Sequence, residues 1–258
     1  MNGYHIFSQF YDNLTFNVDY KKRADYIQSV FSLFGHEWGL SLDLACGTGS
    51  LTVELKKRGV DIYGIDGSYD MLSQAMDKAY DSGLDMLFLC QQMESIDLYG
   101  TIDTCICTLD SLNHITEKRK LQQVFDRVAL FMNAGGFFLF DVNTVYKHQH
   151  ILENNTFVYD TGDVYCVWQN SLRENNIVSI GLDIFEREGE TYRRHSEHFK
   201  ERAYEIGELR EMLEKSGFTV RAVYNDMSTD PLSENADRAI FVAEMVEAIN
   251  REEISIRS

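Results

Sequence analysis

Proline is almost missing from this sequence: its 258 residues contain one, Pro231. That excludes Pro-rich linkers and stiff extended spacers, and no low-complexity tract or internal repeat is present either. Basic residues are also scarce, with 24 Lys and Arg against 41 Asp and Glu and a formal net charge of −17. Such a chain repels polyphosphate unless its cations gather in one patch. The densest basic segment, Arg187 to Arg202, is interleaved with Glu186, Glu188, Glu190, Glu197 and Glu201. It reads as a mixed-charge surface and disfavours a nucleic-acid partner. No apolar run approaches the roughly 18 residues of a membrane span. The opening MNGYHIFSQFYDNL lacks the charged-then-apolar profile of a secretory signal, so a cytoplasmic location is expected. Five cysteines form no zinc-like ligand set: Cys105 and Cys107 make a C-x-C with no second pair. His148 and His150 form an H-x-H without a supporting carboxylate motif, and are read as surface positions. No metal is expected.

What is present is an alternation of short apolar runs and amphipathic stretches. Helical spacing over Phe7 to Phe34 predicts one or two helices. Strands are predicted at Leu42–Cys46, Ile62–Asp66, Met86–Cys90, Thr104–Leu109 and Phe137–Val142. Helices are expected between them at about Ser50–Arg58, Ser68–Tyr80 and Glu117–Met132, the last stopped by Gly135-Gly136. This rhythm implies right-handed βαβ units and a parallel sheet. From Thr156 to Tyr204 the pattern turns to period two, with turns at Glu174–Asn176 and Glu188–Glu190, as in a small antiparallel sheet. Helical spacing returns in EIGELREMLEKSG, followed by strands at Thr219–Tyr224 and Ala239–Val246. The last dozen residues are charged and expected to be frayed or helical. One large domain is expected in three stretches: 1–152 with the N-terminal helices and the first part of the core, 153–204 as a β insertion, and 205–258 completing the core.

The strongest local signal is LDLACGTGS, Leu42 to Ser50. A strand meets a glycine-rich turn and then a helix, at the sheet edge where open α/β folds bind ligands. Gly47 and Gly49 admit positive φ and a close ligand approach. A dinucleotide fingerprint would need a third glycine where Thr52 stands, and no Walker A Lys follows. An acidic Asp43 before an A-C-G-x-G turn suits instead a ligand with an amino group and no phosphate. Asp66 ends the next strand 19 positions after Gly47, near the ~20-residue spacing at which a carboxylate meets ribose hydroxyls. An Asp there also serves as a helix N-cap, a task Ser68 could share.

D-x-A-C-G-T-G-S followed by G-I-D-x-S-x-x-M-L resembles the cofactor motifs of class I S-adenosylmethionine-dependent methyltransferases of the bacterial small-molecule type. CQQMESIDL, IDTCICTLDSLNHI, GGFFLFDVNT, the N-terminal YDNL and ELREMLEKSGF extend the resemblance over most of the chain. It implies a Rossmann-like, doubly wound, seven-stranded sheet of order 3-2-1-4-5-7-6 with the seventh strand antiparallel. It implies S-adenosyl-L-methionine as cofactor. Asp43, Ala45 and Gly47, with Gly49 in the turn, would face the methionine moiety. Asp66 would hold the ribose beside Gly67 and Met71, and Gln92 and Met93 would meet adenine. Leu109 would lie near the sulfonium, and Tyr11 would cap the cofactor. Two positions depart from the family pattern: Gln92 stands where an acid is common, and Arg23 where some relatives carry an aromatic.

Methyl transfer needs alignment more than a signature triad, so no catalytic residue is fixed by motif. Acceptor-side candidates are His114, Asn143, Tyr146 and His198, with His195 and Tyr204 in the same segment as the last. Aromatics of the insertion, Tyr159, Tyr165, Trp168, Phe185 and Tyr192, could line an acceptor pocket or form core. The expected partner is a small-molecule methyl acceptor with a nitrogen or oxygen nucleophile, enclosed by the insertion, in a monomer or homodimer. Rival readings are a non-catalytic cofactor-binding protein, an RNA methyltransferase without its Asn-Pro-Pro-Tyr-type motif, and an NAD(P)-dependent oxidoreductase.

Overall fold

The computed structural model describes residues 11–247 apart from Asn13 and Phe16. The expected helix start at Phe7 and the charged tail fall largely outside them. Five helices are labelled α1 Tyr20–Leu33, α2 Ser50–Lys57, α3 Tyr69–Asp81, α4 Lys118–Phe131 and α5 Ile206–Lys215. The strands are β1 Ser41–Leu44, β2 Ile62–Asp66, β3 Phe88–Cys90, β4 Ile102–Cys107, β5 Met132–Asn143, β6 Thr156–Asp160, β7 Val164–Arg173, β8 Ile177–Glu188, β9 Thr191–Arg202, β10 Phe218–Asn225 and β11 Arg238–Met245.

Seven strands form one sheet in the order β10-β11-β5-β4-β1-β2-β3. The five strands β1 to β5 are parallel, and β11 runs antiparallel to both β5 and β10. This is the expected 3-2-1-4-5-7-6 order. The sheet is apolar on both faces because helices cover both. α1 and α2 close one face through Ala24, Ile27, Val30, Phe31, Leu51 and Leu55. α4 and α5 close the other, where Val124, Phe125, Leu209 and Leu213 meet Phe138, Phe140 and Phe241.

Two strands end earlier than their apolar runs. β1 stops at Leu44 and β4 at Cys107 because the backbone turns left-handed at Ala45 (φ 59°) and at Leu109 (φ 59°). Both turns lie at the carboxyl edge of the sheet. Gly135-Gly136 do not stop a helix: α4 ends at Phe131 and β5 runs on through both glycines. Gly136 leaves room for the Asp103 carbonyl, which a Cβ would approach to 2.8 Å.

The insertion is a four-stranded antiparallel meander, β6-β7-β8-β9. Its period-two pattern sorts cleanly. Val164, Cys166, Val178, Ile180, Leu182 and Ile184 turn inward, joined by Leu152 and, from the N-terminal segment, Leu14. Of its aromatics, Tyr159 and Trp168 pack on this inner face. Tyr165 and Tyr192 are exposed, and Tyr165 sits against Phe185. The apolar face is thus covered by the chain's own residues. No helix of the described residues is long and apolar enough to cross a membrane.

Phe140 tests the core. Its ring is fully buried, stacks on Phe241 at 4.9 Å and lies 4.9 Å from Phe138. Phe140→Ala is expected to cost about 3–5 kcal/mol, read as a lower urea midpoint with an unchanged slope. A loss under about 1 kcal/mol would mean that the ring is not a core element.

Candidate active site

The carboxyl ends of β1 and β2 form the first half of the site. After Leu44 the chain passes through left-handed turns at Ala45, Gly47 (φ 55°) and Gly49 (φ 70°) before α2 begins. A Cβ on Gly49 would lie 2.7 Å from the Ala75 Cβ of α3, so the residue is small for helix packing. A Cβ on Gly47 would meet nothing within 4 Å, which leaves that side of the turn open to a ligand.

Asp66 stitches the two strand ends together. Its Oδ2 accepts from the Gly47 backbone N–H at 2.9 Å and its Oδ1 from the Ser68 N–H at 2.8 Å. The N-cap of α3 is Ser68, whose hydroxyl accepts from Met71 N–H at 3.3 Å. Asp66 is therefore spared the capping role, and each carboxylate oxygen keeps a further lone pair for a hydroxyl. Burial raises its pKa against the backbone donors Ser68, Gly47 and Gly67. Asp43 is buried within β1 and accepts a 2.6 Å bond from the Thr52 hydroxyl. Burial, against the Thr52 bond and with the Asp66 charge, pushes it up to about 7. Thr52, which breaks the dinucleotide fingerprint, is thus the partner of Asp43.

The flanks follow from these two acids. Gln92 donates through Nε2 to the Gly67 carbonyl at 3.3 Å, and Met93 opens a single 3-10 turn whose side chain packs on the core. Met71 is buried in α3. The N-terminal segment is pinned to the glycine-rich turn, where Thr48 donates to Asp12 at 2.8 Å and Lys78 pairs with Asp12 at 2.5 Å. The Tyr11 phenol is raised well above its ordinary pKa by burial, with the charges of Asp110, Asp12 and Asp66 adding to it. It stands between the two halves of the site.

The second half lies at the ends of β4 and β5. Leu109 and Asp110 both hold positive φ, 59° and 54°. The fully buried Asp141 of β5 accepts from their backbone N–H groups at 2.8 and 2.7 Å. Asp141 also accepts from Arg238 of β11 and, at 3.3 Å, from Arg23 of α1. Arg23, the departure from the family pattern, is thereby a partner of this buried acid, and it also pairs with Asp226 at 3.6 Å. Arg238 reaches on to Asp110 Oδ1 at 2.5 Å.

Asn113 fixes the next layer. It is fully buried, donates to the carbonyls of Asn143 (3.1 Å) and Arg202 (2.9 Å), and accepts from the Asn143 N–H at 2.9 Å. These bonds fasten the end of the insertion strand β9 onto the loop after β4 and the end of β5. Glu201 of β9 consequently points into the site. Its Oε2 accepts from Asn143 Nδ2 at 3.2 Å, while His114 Nε2 lies 3.8 Å from Oε1 and His148 Nε2 3.8 Å from Oε2. Lys147 donates to Asn143 Oδ1 at 2.8 Å.

Burial, with the charge of Asp110, raises Glu201 to about 8, against Asn143, Lys147 and Arg238. Burial would raise Asp110 as well, but Arg238, then Lys147 and His114, hold it well below the carboxylate range. Burial lowers His114 against the pull of Asp110, and lowers His148 to about 4. Asp110, His114 and Glu201 each bring one ligand atom within 4.8 Å of the others. A metal ion there would meet the guanidinium already paired with Asp110 and the neighbouring Lys147 ammonium, so the chain's own cations answer these acids.

Of the acceptor-side residues expected from sequence, His114 and Asn143 meet in this cluster. Tyr146 lines a groove of about 470 Å³ on the β10–β11 side, with Tyr204, Arg210, Leu232 and Glu234. His198 is exposed on the outer face of β9, opposite Gly181, because period two turns it away from Phe199 and Glu201. His148 is not a surface residue but fully buried, with Nδ1 2.9 Å from the Asn176 carbonyl, whereas His150 is exposed. Sequence reasoning missed Asp110, Asp141, Lys147, Glu201 and Arg238. Asp110 was within reach, lying directly after Leu109. Asp141 and Lys147 flank the candidates Asn143 and Tyr146 but carry no motif of their own, and Glu201 and Arg238 come from distant segments with no shared spacing.

Comparison with known proteins agrees with this geometry. Residues 42–136 match the model of a methyltransferase domain family. YqeM of Bacillus subtilis (strain 168), which carries a methyltransferase name, is 31% identical over 248 residues, covering 95% of this chain and 98% of that protein. A glycine/sarcosine N-methyltransferase of Parasynechococcus marenigrum (strain WH8102) is 26% identical over 237 residues, 88% of this chain and 79% of its own. The crystal structure of an S-adenosylmethionine-dependent methyltransferase from Clostridium acetobutylicum ATCC 824 superposes with a TM-score of 0.86 at 31% identity, covering 94% of this chain and 98% of that one. The strand order, the Gly47–Asp66 junction and these likenesses agree: the chain belongs to the class I S-adenosylmethionine-dependent methyltransferases.

Proposed function

We propose that this enzyme transfers the methyl group to a nitrogen or oxygen nucleophile of a small-molecule acceptor enclosed beneath the strands β6–β9. The observation that carries this reading is the seat of Glu201. An insertion strand closes over the ends of β4 and β5, so the polar side chains next to Leu109 are roofed by the chain itself. A roofed site suits a small acceptor, and the net charge of −17 speaks against a polyphosphate one. The insertion, residues 153–204, acts on this reading as a lid, in a protein that works as a monomer or homodimer in the cytoplasm.

The cofactor supplies a methyl group already activated on a sulfonium, with a neutral leaving group. Asp66 accepts from its ribose hydroxyls, beside Gly67 and Met71. Asp43, with the turn at Ala45, Gly47 and Gly49, takes its amino group. The Nε2 of Gln92 is engaged with Gly67, so its Oε1 is the atom offered to the adenine amine, with Met93 beside it. Leu109 stands near the sulfonium and Tyr11 closes the pocket. Rate acceleration comes mainly from alignment, for which ~7–11 kcal/mol is available. His114 and Asn143 face the acceptor, while His198 and Tyr146 have weaker claims from their positions.

Two outcomes follow. Calorimetric titration should show S-adenosylmethionine and its demethylated product binding while NAD and ATP do not. Asp66→Ala should weaken both by roughly 10- to 100-fold, the equivalent of about one charge-assisted hydrogen bond. Equal affinity in wild type and variant would remove Asp66 from the site. The second outcome concerns Asp43, whose carboxyl ionises near pH 7 in the folded chain and near 4 when unfolded. The native state holds a proton the unfolded chain has lost, so this stabilisation is complete below pH ~4 and is lost as pH rises through about 7. Asp43→Asn should therefore be more stable than wild type at pH 8, by on the order of 2–4 kcal/mol, and equal to it near pH 4. Thermal unfolding at both pH values checks this, and parallel profiles would overturn it.

A further inference from the structure

We propose that Glu201 is the proton acceptor for the incoming nucleophile, protonated in the cofactor-free protein and ionised when the positively charged sulfonium binds. The inference rests on the methyl-transfer reading above and adds a route for the acceptor's proton.

The geometry begins at His148. Its Nδ1 lies 2.9 Å from the Asn176 backbone carbonyl, which can only accept, so Nδ1 carries the ring proton. Nε2 of the neutral ring is then a bare lone pair. This atom is buried, has no hydrogen-bond partner and lies 3.8 Å from Glu201 Oε2. A carboxylate there faces a second acceptor, whereas a carboxylic acid on Oε2 faces a lone pair that welcomes it. Every element around Glu201 enters the balance. Asp110, from the loop after β4, favours the proton, and so does the unpartnered His148 lone pair facing Oε2. Asn143, the last residue of β5, Lys147 just beyond it and Arg238 of β11 favour the anion. His114 lies on the Oε1 side. With burial added, the group is poised about 8, close enough to neutrality for one new charge to tip it.

The cofactor brings that charge. Asp110 directly follows Leu109, the residue expected at the sulfonium, and Asp110, His114 and Glu201 lie within 4.8 Å of one another. A unit positive charge several ångströms away, at an effective dielectric of about 20, favours the ionised carboxyl by roughly one to two orders of magnitude. Glu201 then holds a lone pair on Oε1, the oxygen on the His114 side. As the nucleophile bonds to the methyl carbon, the carbon–sulfur electron pair returns to sulfur. The nucleophile's N–H or O–H bond breaks and a new O–H bond forms on Glu201. The sulfonium charge is gone at that moment, and the site again favours protonated Glu201. The base is thus switched on by the cofactor and off by turnover.

Sulfonium cofactor and thioether product share the amino group that meets Asp43, so proton release caused by that group is common to both, and their difference isolates the sulfur. Proton release is measured on the full chain by calorimetry at pH 7 in two buffers of different ionisation enthalpy. The expected result is that S-adenosylmethionine releases roughly 0.4 to 0.8 of a proton more than S-adenosylhomocysteine, and that Glu201→Gln abolishes the excess while still binding both. Infrared difference spectra should show a protonated-carboxyl band in the cofactor-free wild type that the sulfonium removes and the product leaves, and that Glu201→Gln lacks. Equal release by the two ligands in wild type overturns the proposal without need of the variant, as does an excess that survives in Glu201→Gln. Failure of both ligands to bind would instead sink the methyl-transfer reading itself.

Discussion

The carboxylate of Asp141 is the constraint on which the half of the site at the ends of β4 and β5 depends. Buried completely at the end of β5, it collects four donors: two successive backbone N–H groups of Leu109 and Asp110, and the guanidinium groups of Arg238 and Arg23. Left-handed backbone at two consecutive non-glycine residues costs about 1–2 kcal/mol each. A hydrogen bond from each N–H to an ionised acceptor contributes about 1.5–3 kcal/mol, enough to hold the turn. The same group joins α1, β4, β5 and β11. The strained turn that aims Asp110 into the site is thus maintained by the interaction that ties β11 to the centre of the sheet.

Around this anchor the two halves of the site are built by different means. The cofactor half is local: two neighbouring strand ends, a turn and the first residues of two helices, latched by Asp66 across 19 residues. The acceptor half is assembled from pieces that share only their destination. Asn113 brings β9 down onto β5, and Glu201 comes with it. The first arrangement suits a cofactor common to a wide family, and the second leaves room to vary the acceptor through one insertion.

That division explains what could be read in advance. Parallel strands, helix positions and the Asp43, Gly47 and Asp66 group follow from periodicity and turn chemistry within about 25 residues. The strand ends at Ala45 and Leu109 were not readable, since a left-handed residue without glycine leaves no mark in composition. His198 and Glu201 sit three apart in one strand, and only the pairing register decides that the glutamate faces in and the histidine out. His148 looked like a surface residue because its partner lies in the turn between β7 and β8, at Asn176, 28 positions on. Asp141 and Arg238 are 97 residues apart, and no spacing rule links them.

That last separation has a consequence for how the enzyme is made. A ribosome adding ~5–20 residues per second needs about 5 to 20 s to travel from Asp141 to Arg238. Through that interval β5 is an open sheet edge and its terminal acid lacks its chief counter-ion. The meander β6–β9 emerges in the same window, and its hairpins need only near neighbours in sequence to pair. The β6–β9 sheet can therefore form before Asp141 beneath it is neutralised, and the arrival of β11 completes the main sheet and the Asp141 cluster in one step.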